Sequence, residues 1–460
     1  KALASPRGRE SAADAADRAV ANGGPLGRLH GLPFTIKECF DFEDSPSTLG
    51  VLARKNDRPP ANDRYVAALE AEGGIVLGKT NVPQLLIFIE SENRVYGRTN
   101  NPINPEFSCG GSSGGEGAVV GAGASPVGVG SDIGGSVRFP AAFCGACSIK
   151  PTMWRTPDLT RYGRTILEGP INSVAGVIAN HADDLELFLW IMNEAAGAKP
   201  IPPVTELDAK SLRVGYFESD GIVEPSPAIR RGVLESVKTL KKSGADVVEF
   251  NAPSFELAEE IFYRILTVNK GKVFTDVLGD EPPMPQLRSL FTLLRSGSGT
   301  RSAARIIANG FGQRSLHRLL GYFGGEGEAF LIEWARRQEE YRHEYLKAMD
   351  DQGVDAILGP VCALPAFLHR STDKVGLGRT YTLLYNVLGF PSGVARVSTV
   401  RNDEAIGRNA GADLAARAMA KAEKRSAGLP VAVQIAARPW REDIVLKLIG
   451  ELHREVSRES

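Results

Sequence analysis

Between Gly110 and Gly135 the chain carries eleven glycines, and in three places two stand side by side. No charged side chain interrupts residues 117–131. Residues 108–145 read SCGGSSGGEGAVVGAGASPVGVGSDIGGSVRFPAAFCG. Glycine loses more conformational freedom on folding than any other residue, at about 0.5–1 kcal/mol relative to alanine inside an element. A run this dense needs a use that offsets the cost. It can cradle a phosphate, bring backbone N–H groups to a developing oxyanion, or let segments pack very closely.

The phosphate reading fails on detail. There is no G-x-x-x-x-G-K-[ST], and neither Gly121-Ala-Gly123 nor Gly128-Val-Gly130 has the third glycine of a dinucleotide fingerprint. Residues 111–115, GSSGG, match G-x-S-x-G. A hydrolase elbow with Ser113 as nucleophile would need a strand before it and Asp and His after it. The preceding NPINPEFSC is a poor strand, and none of the six histidines has a distinctive setting.

The second cluster, Asp132-Ile-Gly-Gly-Ser136-Val-Arg138, carries more. A serine after two glycines has accessible N–H groups on its N-terminal side, so its Oγ can attack a carbonyl while the backbone holds the resulting oxyanion. Asp132 and Arg138 flank the turn with opposite charges that can pair and pin it. With no plausible histidine, the base must be a lysine that acts while neutral, its pKa lowered by desolvation or by a neighbouring cation. GLPFTIKECF supplies Lys37 at the end of an apolar strand-like run. Ser112 can relay the proton between Lys37 and Ser136. The bland alternatives are a surface Lys37 beside Glu38, loop hydrogen bonding by Ser112 and Ser113, and a helix cap at Ser136. Ser113 reads as a structural residue that holds its loop.

Around this centre the pattern alternates between helix and strand. Asn62 or Asp63 caps a helix with Val66 and Leu69 on one face, and IVLGKTN follows as a buried strand. RVGYFES, VVEF, DAILGP and LPVAVQIAA read as further strands. Helices follow Ser226-Pro227, with Ile229, Val233, Val237 and Leu240 at helical spacing, and carry Ile444, Leu448 and Leu452 near the C-terminus. RNDEAIGRNAGADLAARAMAKAEKRSAG reads as an Ala-rich surface helix. The pattern predicts an α/β fold, with helices on both faces of a large twisted mixed sheet.

One segment stands apart. Residues 284–325 hold six arginines (Arg288, Arg295, Arg301, Arg305, Arg314, Arg318) and no Asp or Glu. Leu287, Leu290, Phe291 and Leu294 make an apolar face beside two of them. Such a helix can lie in a membrane interface, or simply pack on its own domain. A net charge of −1 argues against wholesale nucleic-acid binding, and no transmembrane run is present. The chain opens on Lys1, so an N-terminal anchor ahead of it stays open. Five cysteines fit a reducing, cytoplasmic setting. Cys144 and Cys147 form a C-x-x-C, but no second pair completes a zinc site, and two buried thiols are the favoured reading.

GLPFTIKECF, SCGGSSGGEGA and GSDIGGSVRFPAAFCG together resemble the amidase signature family of Ser–Ser–Lys hydrolases. The resemblance implies a triad of Lys37, Ser112 and Ser136, with oxyanion donors on the N–H groups of Ile133, Gly134, Gly135 and Ser136. It also implies one amidase domain over residues 1–460, with a catalytic core at about 31–175. Within the family, KTNVPQ, YTLLYNVLGFPSGV and GLPVAVQIAARPW are similar to the fatty-acid amide hydrolases. That implies a lipid amide substrate, an acyl channel, and a peripheral membrane cap at 284–325. LLIFIE would then line the channel through Leu85, Leu86, Phe88 and Ile89, and Trp440 would stand near it. Neither metal nor organic cofactor is implied. A homodimer, a general aliphatic or aryl amidase, a glutamyl-tRNA amidotransferase A subunit and an inactive membrane-binding scaffold remain open.

Overall fold

A computed structural model describes residues 9–43, 45–157, 160, 169–375 and 380–459. Residues 158–159 and 161–168, which belong to the expected core span of about 31–175, lie outside the described residues. Twelve strands are numbered here in chain order. They are β1 Pro33–Lys37, β2 Ile75–Thr80, β3 Glu92–Asn93, β4 Gly97–Arg98, β5 Val127–Asp132 and β6 Cys147–Lys150, then β7 Val174–Ala179, β8 Arg213–Tyr216, β9 Asp246–Glu249, β10 Ala356–Pro360, β11 Ser392–Thr399 and β12 Pro430–Ala437. Ten of them form one sheet in the order β2-β1-β5-β7-β6-β11-β12-β10-β8-β9, while β3 and β4 pair separately.

The sheet is parallel at both ends and antiparallel through its middle. β2, β1 and β5 run parallel, as do β10, β8 and β9. Every pairing from β5 across to β10 is antiparallel. Side chains alternate between faces along a strand, and this alternation builds two cores. Ala356 and Leu358 enter one core, and Ile357 between them enters the other. The result is the mixed α/β sheet, helices packed on both faces, that the alternating pattern predicts. The parallel end aligns the C-termini of β1 and β5, where Lys37 and Asp132 are the last residues.

Local expectations are met unevenly. Asp63, not Asn62, caps the helix Arg64–Ala71, its carboxylate accepting from the Tyr65 N–H; Asn62 Oδ1 instead accepts from the Glu43 N–H. The Ala-rich segment is α-helical only over Leu414–Glu423, where Asp413 caps it, with one short 3-10 turn at Asn402–Glu404. Its first half holds Gly407 and Gly411 in left-handed conformations, which break a helix. The arginine-rich segment is not one helix but three: Pro285–Arg295, Ser298–Gly310 and Arg314–Tyr322.

Candidate active site

Lys37 emerges from the end of β1 and is 1% exposed. Its Nζ lies 2.8 Å from Ser112 Oγ, 2.9 Å from Ser131 Oγ and 3.2 Å from the Ser131 carbonyl oxygen. An amine held by hydroxyls and a carbonyl, out of water, is the environment a lysine needs to act as a base. Ser131 carried no sequence expectation. Its signal was its place beside Asp132 at the end of a parallel strand next to β1.

Ser112 sits in the tight loop before the helix Gly114–Gly121, and Ser113 pins that loop. Ser113 Oγ donates to the Ser131 carbonyl at 3.2 Å and accepts from the Ser131 N–H at 3.3 Å. The Ser113 N–H donates to the Ser136 carbonyl at 3.1 Å, tying the two serine loops together. No described strand leads into Ser113, so the elbow geometry is absent among the described residues.

Asp132 and Arg138 do pair, and both are fully buried. Arg138 Nη2 and Nε reach the two carboxylate oxygens at 2.9 and 3.1 Å. The same carboxylate accepts from the N–H groups of Gly135 at 2.8 Å and Val137 at 3.0 Å, and from Asn386 Nδ2 at 2.9 Å. Burial pushes the Asp132 pKa up, but Arg138 outweighs it and, with Lys150 and Asn386, holds the carboxyl well below the usual range. Arg138 Nη1 continues to the Thr382 carbonyl at 2.7 Å and Gln434 Oε1 at 3.1 Å. Asn386, Thr382 and Gln434 were missed as supporting residues, although all three lie inside stretches that carried the family resemblance.

This network refines the expected oxyanion donors. The Gly135 N–H donates to Asp132 Oδ1 at 2.8 Å. Ile133, Gly134 and Ser136 keep N–H groups with no acceptor among the described residues. Gly135 has φ +114°, and a Cβ there would stand 2.5 Å from Thr382 Oγ1, so the position admits only glycine. Ser136 itself is half-buried, at the edge of the loop.

A cavity of about 330 Å³ lies close by, walled by Ile87, Phe88, Tyr263, Leu290, Leu319 and Phe323 among others. Its lining includes neither Lys37, Ser112 nor any of residues 133–136, and two packing contacts lie between it and the site. The Phe88 carbonyl backs onto Gly111, and the Phe262 ring, next to Tyr263, packs against Gly134. Of the expected wall residues, Phe88 lines this cavity. Leu85 and Ile89 are buried in the core, Leu86 packs against another part of it, and Ile87 and Phe88 face the cavity. Leu85 and Leu86 both have left-handed backbones, which breaks the alternation that a sequence reading assumes. Trp440 is not among the lining residues. Its ring lies between the Arg155 guanidinium at 4.9 Å and the Lys199 ammonium at 4.7 Å. All five cysteines are buried thiols; Cys144 donates to the Cys109 carbonyl, and Cys147 faces His453.

Comparison with known proteins gives a consistent result. The family model described as Amidase matches residues 3–446. The chain belongs to the amidase signature family. It is 34% identical to fatty-acid amide hydrolase 1 of Sus scrofa over 93% of this chain and 76% of that protein. It is 31% identical to an acetamidase of Aspergillus oryzae over 93% of this chain and 78% of the relative. A solved structure of fatty acid amide hydrolase superposes with a TM-score of 0.78 at 25% identity, covering 96% of this chain and 75% of that one. The protein is therefore an amidase, a hydrolase of carboxylic amide bonds. No described helix is long and apolar enough to cross a membrane.

Proposed function

We propose that this amidase cleaves long-chain fatty-acid amides or N-acyl amines, with Ser136 as nucleophile, Ser112 as relay and Lys37 as base. The observation that carries the reading is the buried contact between Lys37 Nζ and Ser112 Oγ, one loop away from Ser136. Neutral Lys37 takes a proton from Ser112, Ser112 takes one from Ser136, and Ser136 Oγ attacks the amide carbon. The free N–H groups of Ile133, Gly134 and Ser136 face the developing oxyanion. The same chain returns the proton to the leaving amine, and water then hydrolyses the acyl-enzyme.

The nearby cavity supports the lipid-amide substrate: Ile87, Phe88, Leu290, Leu319 and Phe323 offer an alkyl chain an apolar wall, beside the polar Gln286, Asp373 and Asp413. The cap reading also gains support, from a different helix than the sequence suggested. Leu287, Phe291 and Leu294 are buried against the protein. Ile306, Ile307 and Phe311, beside Arg305 and Arg314, are instead 73%, 59% and 73% exposed. An exposed apolar patch in a segment rich in arginine and free of acidic residues suits an anionic membrane surface. The acetamidase relative favours a second reading, a short-chain amide substrate. Hydrolysis of oleamide and acetamide in parallel separates the two. The lipid-amide reading expects a higher kcat/KM on oleamide and loss of both activities in S136A; preference for acetamide moves the substrate to the general amidase class.

A further inference from the structure

One buried ionisable group beside the site takes no part in the chemistry above. Glu116 is fully buried on the helix Gly114–Gly121, four residues after Ser112. Thr35 Oγ1 lies 2.5 Å from its Oε2, and Thr80 Oγ1 lies 2.6 Å from its Oε1. Neither threonine is incidental. Thr35 stands two residues before Lys37 on β1, so both side chains leave the same face of the strand. Thr80 is the register partner of Lys37 across the β1–β2 ladder. At Gly128 on β5, a Cβ would fall 2.0 Å from Glu116 Oε2, so glycine there makes the room the carboxyl occupies.

The charged neighbours leave one partner. β1 brings Lys37. β2 brings Lys79, whose Nζ turns instead to the Pro46 carbonyl and Ser47 Oγ. β5 ends at Asp132, which is held by Arg138, and β7 has no titratable side chain. The helix Arg138–Cys144 sets Pro140 against Gly117 and Cys144 against Gly121. Burial pushes the carboxyl up to about 8, against the threonine hydrogen bonds and the charge of Lys37, which lower it.

We propose that Glu116 is a positioning residue for Lys37: a buried carboxyl on the Thr35–Thr80 platform whose ionisation sets how readily Lys37 gives up its proton. The inference rests on Lys37 being the base. While Glu116 keeps its proton, Lys37 faces a neutral acid and is free to work as a neutral amine. Once Glu116 ionises, the new anion favours the Lys37 ammonium. Two groups coupled in this way titrate over a wider range than one proton alone would.

The test is the pH dependence of kcat/KM for amide hydrolysis, from about pH 6 to about pH 10. Glu116→Gln keeps the shape of the neutral acid and removes its ionisation. The acid limb of E116Q should steepen and move about one pH unit lower, with the plateau within about threefold of wild type. A merely structural role would lower the rate at every pH and leave the limb in place, and that result overturns the proposal. Should E116Q not fold, Thr80→Val takes its place. It removes a donor that favours the anion, so its limb should also move down, and an unmoved limb in folded T80V is equally fatal. Lys37→Ala separates the two levels. If K37A keeps wild-type activity, the triad and this proposal fall together. If K37A is inactive and the E116Q limb is unmoved, only the role of Glu116 falls.

Discussion

The floor and the roof of the site are built on opposite terms. The floor, where β1 and β5 meet the helices Gly114–Gly121 and Arg138–Cys144, is buried, and its charges are matched. Asp132 alone accepts five hydrogen bonds, two from Arg138, two from backbone N–H groups and one from Asn386. The roof, residues 284–325, leaves large apolar side chains in water and most of its arginines facing out. Ties to the body run along its length, among them the Met284 N–H to Gln84 Oε1 at 2.8 Å, Gln286 Nε2 to Glu92 at 2.9 Å, the Ser315 N–H to Asp413 at 3.0 Å, Arg318 to the buried Glu259 at 3.1 Å, Arg264 to the Gly321 carbonyl at 2.8 Å, and Tyr263 stacked on Tyr322. The floor buries its charges and pairs them, whereas the roof exposes charge and apolar surface together. The tying helix, Phe255–Leu266, also presses Phe262 onto Gly134, so the two regions share one element.

Several substitutions sharpen this contrast. The largest effects belong to the floor. Lys37→Ala and Ser136→Ala should each lower kcat/KM by about 10⁴-fold, because members of a relay act as a unit. Ser113→Ala should keep the chemistry and lose loop order, and retained activity in S136A with loss in S113A would reverse those roles. Next comes Asp132→Asn, which strands the Arg138 charge in the interior. Urea unfolding should report about 3–5 kcal/mol of lost stability.

Lys150 gives a smaller effect of opposite sign. It is buried, donates to the Pro151 carbonyl, and is driven down to about 7, first by burial and then by Arg138. The unfolded chain holds that proton more tightly than the folded one, so stability falls as pH drops from the ordinary lysine range toward 7 and is level below it. Lys150→Met should therefore stabilise the protein by up to about 3 kcal/mol near pH 7, with the gain shrinking as pH rises. A gain that is the same at every pH contradicts this. The smallest effect on catalysis lies at the roof. Phe311→Asp should leave hydrolysis of a soluble amide unchanged and lower pelleting with anionic liposomes severalfold at low salt. If wild type does not pellet at low salt, the membrane arm of the comparison is wrong.

What the sequence made legible is local. Lys37 follows an apolar run on its own strand. Ser112 and Ser136 sit in glycine loops that announce close backbone approach, and Asp132 and Arg138 are six residues apart. Partners contributed from afar left no such mark. Asn386 and Gln434 meet Asp132 and Arg138 only because the antiparallel middle of the sheet and the helix Thr380–Val387 fold over the Ser136 loop. In LLIFIE, Phe88 lines the cavity and Leu85 and Leu86 do not, the two leucines holding a left-handed backbone that no hydrophobic pattern encodes. In the roof, apolar periodicity picked out the helix Pro285–Arg295. The same periodicity describes a helix packed inward and one facing a membrane, and burial decided for the first.

The most direct test of the Ser–Ser–Lys assignment is to treat the protein with a fluorophosphonate and locate the adduct by peptide mass spectrometry, in wild type, S136A and K37A. The account predicts a single adduct on Ser136, none in S136A, and labelling slowed by orders of magnitude in K37A. An adduct on Ser113, or wild-type labelling of Ser136 in K37A, would contradict it.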